Sequence, residues 1–231
     1  YVTMYNWKDV MNYRFEYRLF EPVMKYIEEN DLTRYPVIKA QYQILKIMEN
    51  EDYDNLYYDL KKTYIKEMDD LTVKDRIRTG TLLINDALRR FMLGKTNFNA
   101  ERFEIMKLQL KHDIYQKEEG WLSREQYFNY VHTSISLGEL EWAEKFTLDN
   151  TAKLAPDIRK HASSYAKGML CFHKKEYDSA LKELAGIKGG DYHYFVMIKS
   201  LSTKIYYEMG DYEKVLSVID SFKHYISSNM L

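Results

Sequence analysis

The stretch Tyr206-Tyr-Glu-Met-Gly-Asp-Tyr-Glu-Lys-Val-Leu-Ser-Val-Ile-Asp-Ser-Phe222 decides the fold. It reads as the end of one helix, a Gly-Asp turn and the start of another. After the turn, Tyr212, Val215, Leu216, Ile219, Phe222 and Ile226 recur at spacings of three and four, which puts one apolar stripe on a helix. Before it, Phe195, Ile198, Leu201, Ile205 and Met209 do the same. The spacing predicts helices over 191–209 and 211 to about 227. A connection this short makes them an antiparallel pair packed directly on each other.

The arrangement has copies. Thirty-five residues earlier, Ala166 to Leu184 places Tyr177 where Tyr212 falls and Ala180 where Val215 falls. Another 37 residues back, Ser136 to Phe146 puts Leu140 and Ala143 in those slots, with Gly138 matching Gly210. Tyr53 and Leu56 repeat the pattern again, and Leu93 to Phe98 is a lengthened version of the turn. The marker positions 53, 98, 140, 177 and 212 are separated by 45, 42, 37 and 35 residues. A helix, a tight turn and a helix at such a period is the signature of a helical solenoid.

The three C-terminal units resemble tetratricopeptide repeats, over roughly residues 121–228. Gly168 stands for that family's small residue midway along the first helix. Gly210-Asp211-Tyr212 and Gly138-Glu139-Leu140 stand for its turn, Ala143 and Ala180 for the alanine of the second helix, and Pro156 for the following proline. Val215 replaces the alanine in the last unit, Lys175 replaces the turn glycine in the one before, and the units within 1–120 are longer than the family's. The resemblance implies an all-α fold, a right-handed α-solenoid of about five antiparallel helical hairpins, with residues 1–231 as one domain. Upstream, residues 6–30 read as one or two further helices, with Pro22 at a helix start or kink and Pro36 in a first turn.

Composition narrows the function classes. With 45% hydrophobic residues in 231, the chain can bury a substantial core. Lys+Arg 34 against Asp+Glu 35 leaves a formal charge of -1, so no concentrated positive field favours nucleic acid or anionic lipid. No run of 18 apolar residues occurs, and no membrane insertion is expected. The lone Cys171 excludes an intramolecular disulfide and any multi-cysteine metal site. The chain starts at Tyr1 without a signal peptide or an initiator Met, so it is expected to be a fragment or processed product and, by default, cytoplasmic.

Little of the sequence points to catalysis. Gly94-Lys95-Thr96 resembles the end of a phosphate-binding loop, but Arg89 stands where the loop needs its earlier Gly and no strand precedes it. Histidines 112, 132, 161, 173, 193 and 224 are scattered, none at the helical spacing of a metal face. Cys171 has His173 only two residues away, on another helix face. Asp69-Asp70, Glu118-Glu119 and Glu28-Glu29 read as solvated caps, and Arg89-Arg90 as helix surface, with a receiver for a phosphate or carboxylate as the alternative. Neither an enzyme nor a cofactor is expected.

If the chain is a solenoid, the first helix of each hairpin lines its concave face. Aligned units put Phe128, His132 and Ile135, then Tyr165, Met169 and Phe172, then Met197, Lys204 and Tyr207 along that stripe. Of these, Phe128, His132, Tyr165, Met169, Lys204 and Tyr207 are the candidate contacts for a protein or peptide. The Lys and Asn set with which some tetratricopeptide proteins grip a chaperone's terminal carboxylate is absent from these positions. The leading expectation is therefore a non-catalytic interaction scaffold. The alternatives are a structural spacer in a longer solenoid, discriminated by exposure of Tyr5, Trp7, Tyr13 and Phe15, and a small-molecule-binding helical enzyme domain.

Overall fold

The computed structural model describes residues 19–49, 54–114, 117–118, 120–187 and 192–229. Among them are eleven α-helices, and the chain divides into two compact units, residues 1–115 and 116–231. The division falls near residue 120, where the repeat length changes. The markers Tyr5, Trp7, Tyr13, Phe15 and Tyr53 lie outside the described residues.

The first unit contains α1 (Phe20–Glu29), α2 (Pro36–Glu49), α3 (Asp54–Glu67), α4 (Val73–Met92) and α5 (Phe98–Lys111). Helix α2 packs on α3, α3 on α4, α4 on α5, and α2 reaches α4. Ile44, Ile47, Tyr57, Leu60, Leu83, Phe98 and Ile105 fill the space between them. Pro36 opens α2, where a missing N–H costs nothing. Pro22 lies in the first turn of α1. Thr72 caps α4 by accepting the Asp75 N–H. In the middle of α4, Gly80 lets α3 and α5 close in: a Cβ there would stand 2.7 Å from the Tyr64 hydroxyl and 2.3 Å from Gln109 Nε2.

The second unit starts with a two-stranded ribbon that the sequence pattern does not announce, β1 (Lys117–Glu118) antiparallel to β2 (Trp121–Leu122). Gly120, at φ 88°, turns it. Six helices follow: α6 (Arg124–Ser136), α7 (Leu140–Asn150), α8 (Pro156–His173), α9 (Tyr177–Ala185), α10 (Tyr192–Glu208) and α11 (Tyr212–Asn229). They pair as α6 with α7, α8 with α9 and α10 with α11, and each first helix also packs on the next, α6 on α8 and α8 on α10. The pairs close on small residues and rings. Ala143 and Ala180 are fully buried, a Cβ on Gly168 would stand 3.1 Å from Leu184, and the Phe195 ring stacks on Tyr225 at 3.8 Å. Tyr177 is half-buried and Tyr212 is exposed. They lie across the turn on Phe172 and Tyr207.

One turn geometry joins four helix pairs, and it also ends α5 at Asp113, at φ 53°. Gly94, Gly138, Lys175 and Gly210 all have positive φ, at 92°, 78°, 64° and 75°. In each, that residue's N–H donates to the carbonyl three residues back, and the next N–H donates to the carbonyl five back: Gly210 to Tyr207 and Asp211 to Tyr206, Lys175 to Phe172 and Glu176 to Cys171. This is the Schellman motif, which satisfies carbonyls that a helix end leaves open. The glycine alignment of the sequence is thus a conformational alignment, and Lys175 adopts the glycine conformation without being glycine.

The last helix departs from its predicted stripe. Leu216 is 64% exposed and Tyr212 61% exposed, while Val215 and Ile219 are half-buried. The physical reason is position: among the described elements only α10 offers α11 an extensive packing partner. No helix among the described residues is long and apolar enough to cross a membrane.

Candidate functional site

The repeat register defines a surface on each first helix of the second unit. Arg124, Phe128, His132 and Ile135 of α6 correspond to His161, Tyr165, Met169 and Phe172 of α8, and these to Val196, Ser200, Lys204 and Tyr207 of α10. The first two copies form a packing seam. The Phe128 ring meets Tyr165 edge-on at 5.2 Å, and His132 stands 6.5 Å from the same ring. His161 meets Tyr194 at 6.0 Å, and the Arg124 guanidinium lies 4.9 Å from the Tyr194 ring centre. Burial pushes the Tyr165 hydroxyl up to about 12. At the end of α8, burial and then the charge of Lys204 push the His173 imidazole down, which places Lys204 beside it.

Phe128, Tyr165 and Met169, expected as partner contacts, are therefore buried packing residues. The reason is that a first helix of a hairpin stack covers two neighbours, its own second helix and the next first helix, so both of its stripes are apolar. His132, Lys204 and Tyr207 are exposed, and Met197 is half-buried. Along the seam, exposure rises from 6% at Ile135, through half-buried Phe172, to 60% at Tyr207. Exposed Met209, Tyr212 and Leu216 lie at the same turn and on the flanking helix, with the Tyr207 and Tyr212 rings 5.9 Å apart.

Two depressions accompany this surface. A cleft of about 570 Å³ opens where β2 meets the first turns of α6 and α8, lined by Trp121, Leu122, Arg124, Glu125, Asp157 and Ile158 among others. Its start is fixed by the Ser123 cap, which accepts the Gln126 N–H, and by Pro156 at the first position of α8. The Arg159 guanidinium lies 5.1 Å from the Trp121 ring centre and its Nε donates to the Leu154 carbonyl at 2.7 Å. Charges of both signs line the cleft, so it favours no ion of one sign. A smaller groove of about 360 Å³ runs over Thr147, Leu148, Leu170 and Cys171 between Glu144, Lys167 and Glu183. Cys171, expected as a buried apolar side chain, is half-buried here, and its thiol is pushed up by burial and by Glu176, away from the thiolate a nucleophile needs.

In the first unit, Arg90 corrects the expectation of a helix-surface arginine pair. It is 1% exposed, its Nε donates to Asp86 at 2.6 Å, and it also pairs with Asp54. Its guanidinium lies 5.3 Å from the Phe98 ring centre. Arg89 donates to Asp86 at 2.9 Å, and Lys95 reaches Asp54 at 2.6 Å. The Gly94-Lys95-Thr96 turn thus closes an internal charge network. Helix α4 supplies Asp86 and Arg90 one turn apart, and the carboxylates that the arginine receives are the chain's own. No group of three or more metal-ligating side chains occurs among the described residues.

Comparison of the chain with protein-family models, curated proteins and solved structures returns no match.

Proposed function

We propose that the protein is a non-catalytic scaffold for protein–protein interaction, built as a right-handed solenoid similar to tetratricopeptide repeats, and that it binds a protein or peptide through the first-helix face of its second unit. The observation that carries this reading is the uncovered end of the seam: Lys204 and Tyr207 occupy positions that are buried or half-buried one hairpin earlier, and Met209, Tyr212 and Leu216 extend the apolar area beside them. An aromatic and apolar patch with a charge at its margin is the composition of a hot spot with a polar rim. The Schellman turns at Gly94, Gly138, Lys175 and Gly210 support the repeat reading, because each joins two packed helices with one geometry.

The test is affinity capture with the full chain, run against the double variant Lys204→Glu/Tyr207→Asp and the control Val73→Asp, which changes an exposed apolar residue of the first unit. Capture of a defined set of proteins that the double variant loses and the control retains is the expected result. Equal capture by all three chains removes the proposed face.

A further inference from the structure

We infer that the cleft where β2 meets the first turns of α6 and α8 is a binding site for a free α-amino acid with an apolar or aromatic side chain, a ligand independent of the scaffold reading. Its volume of about 570 Å³ is that of a small-molecule site. Trp121, Ala155 and Ile158 form its apolar wall. The Trp121 ring is exposed, and it is also fixed: the Arg159 guanidinium lies 5.1 Å from its centre and is itself anchored on the Leu154 carbonyl. A large ring held in place while still in water is a platform for another apolar group, because its ordering is complete before the ligand arrives.

The charges of the cleft decide the ligand's chemistry. Arg124 is steadied by Glu125, which accepts its Nε at 3.2 Å, and by the Tyr194 ring, 4.9 Å from its guanidinium. That ring meets His161 at 6.0 Å, and Asp157 stands one turn before His161 on the same face of α8. Arg124 and Asp157 therefore open on one cleft. Asp157 forms no ion pair and no side-chain hydrogen bond among the described residues, so its carboxylate is not satisfied by Arg124. A simple anion or cation is attracted by one of the two and repelled by the other. A zwitterion suits both, with its carboxylate toward Arg124, its ammonium toward Asp157 and its side chain against Trp121 and Ile158. Three different contacts around one carbon also make the site handed.

The probes are phenylalanine, tryptophan and leucine, each as both enantiomers, with phenethylamine and 3-phenylpropanoate as analogues that lack the carboxylate and the ammonium. Each is titrated into the full chain by isothermal titration calorimetry. Expected is saturable binding of at least one of the three amino acids, with one enantiomer and the zwitterion each preferred at least 10-fold. Trp121→Ala and Asp157→Asn should each weaken it at least 10-fold, and Val73→Asp should leave it unchanged. Asp157 is exposed and Asn keeps its size, so loss of binding in that variant is not loss of the fold. No saturable binding by any of the three overturns the site, and binding indifferent to both Trp121→Ala and Asp157→Asn overturns its placement in the cleft. Equal binding of 3-phenylpropanoate or phenethylamine, or of the two enantiomers, overturns the zwitterion held at three points. The seam variant Lys204→Glu/Tyr207→Asp should bind as the parent does, which tests the cleft apart from the scaffold; loss of binding there would place the ligand on the seam and overturn the cleft.

Discussion

Lys175 carries the sharpest prediction about the repeated turn. At Gly138 and Gly210 a Cβ would meet nothing within 4 Å, so Gly→Ala there perturbs only the backbone conformation. The left-handed region costs an L-residue about 1–2 kcal/mol, and the stiffer unfolded chain returns about 0.4–1 kcal/mol. Each Gly→Ala variant should therefore lose about 1 kcal/mol. Lys175, at φ 64°, already carries that conformational cost, so Lys175→Gly should gain about 0.5–1 kcal/mol by the same arithmetic with the sign reversed. For a chain of this length that means Tm changes of about −3 °C for Gly138→Ala and Gly210→Ala and about +2 °C for Lys175→Gly. Differential scanning fluorimetry with urea denaturation checks them. A Lys175→Gly protein less stable than the parent, together with neutral Gly→Ala variants, would refute the shared turn.

Three further outcomes follow from the charge networks. Arg90→Ala should cost about 3–5 kcal/mol in denaturant unfolding, because it leaves the nearly buried Asp86 carboxylate without its closest cation; a cost below 1 kcal/mol would place Arg90 at the surface. Burial acts to raise the Asp54 carboxyl, but Lys95 and Arg90 outweigh it and hold it below the usual range, so its contribution is present above the unfolded value of about 4 and lost as pH falls through the folded one. Asp54→Asn should flatten stability against pH below about 4, read by urea midpoints. The His173 imidazole is lowered by burial and by Lys204, so the unfolded chain binds its proton more readily and stability should fall as pH drops below about 6.5. In Lys204→Met, the His173 titration followed by NMR should move up toward the ordinary value; an unmoved titration would separate the two residues.

What the sequence discloses here, and what it hides, follows from which interactions are local. A Schellman turn is set by three or four consecutive residues, so Gly138 and Gly210 announce it directly, and Lys175 is found through the spacing of Tyr177 and Ala180 around it. Prolines at first-turn positions are legible for the same reason. The inside-versus-outside choice on the first helices is not local. Phe128, Tyr165 and Met169 sit at helical spacing whether they meet water or the next hairpin, and only the packing of α6, α8 and α10 decides between them. Arg90 was hidden likewise: adjacent arginines point to different faces, and nothing in Arg89-Arg90 tells that Asp54, 36 residues away, reaches the second one. The ribbon before α6 left one signal, Gly120, and the cleft it borders depends on Trp121 and Arg159 meeting from distant positions.

The seam also dictates which substitutions can report on binding at all. Truncating Tyr165 removes a ring that meets Phe128 in a nearly dry setting, and aromatic truncations in such settings cost about 3–5 kcal/mol. That is enough to unfold part of a domain whose total stability is about 5–15 kcal/mol. A Tyr165→Ala chain that loses its partner would thus show damaged packing, and the loss would say nothing of contact. Tyr207 lies in the equivalent row but is mostly in water, so Tyr207→Asp removes apolar area from a surface and leaves the α8–α10 packing in place. The asymmetry gives a criterion that needs no partner: Tyr165→Ala should lower Tm by more than 8 °C and Tyr207→Asp by less than about 2 °C. If the two fall together, Tyr207 is part of the core, and the open face of α10 is not open.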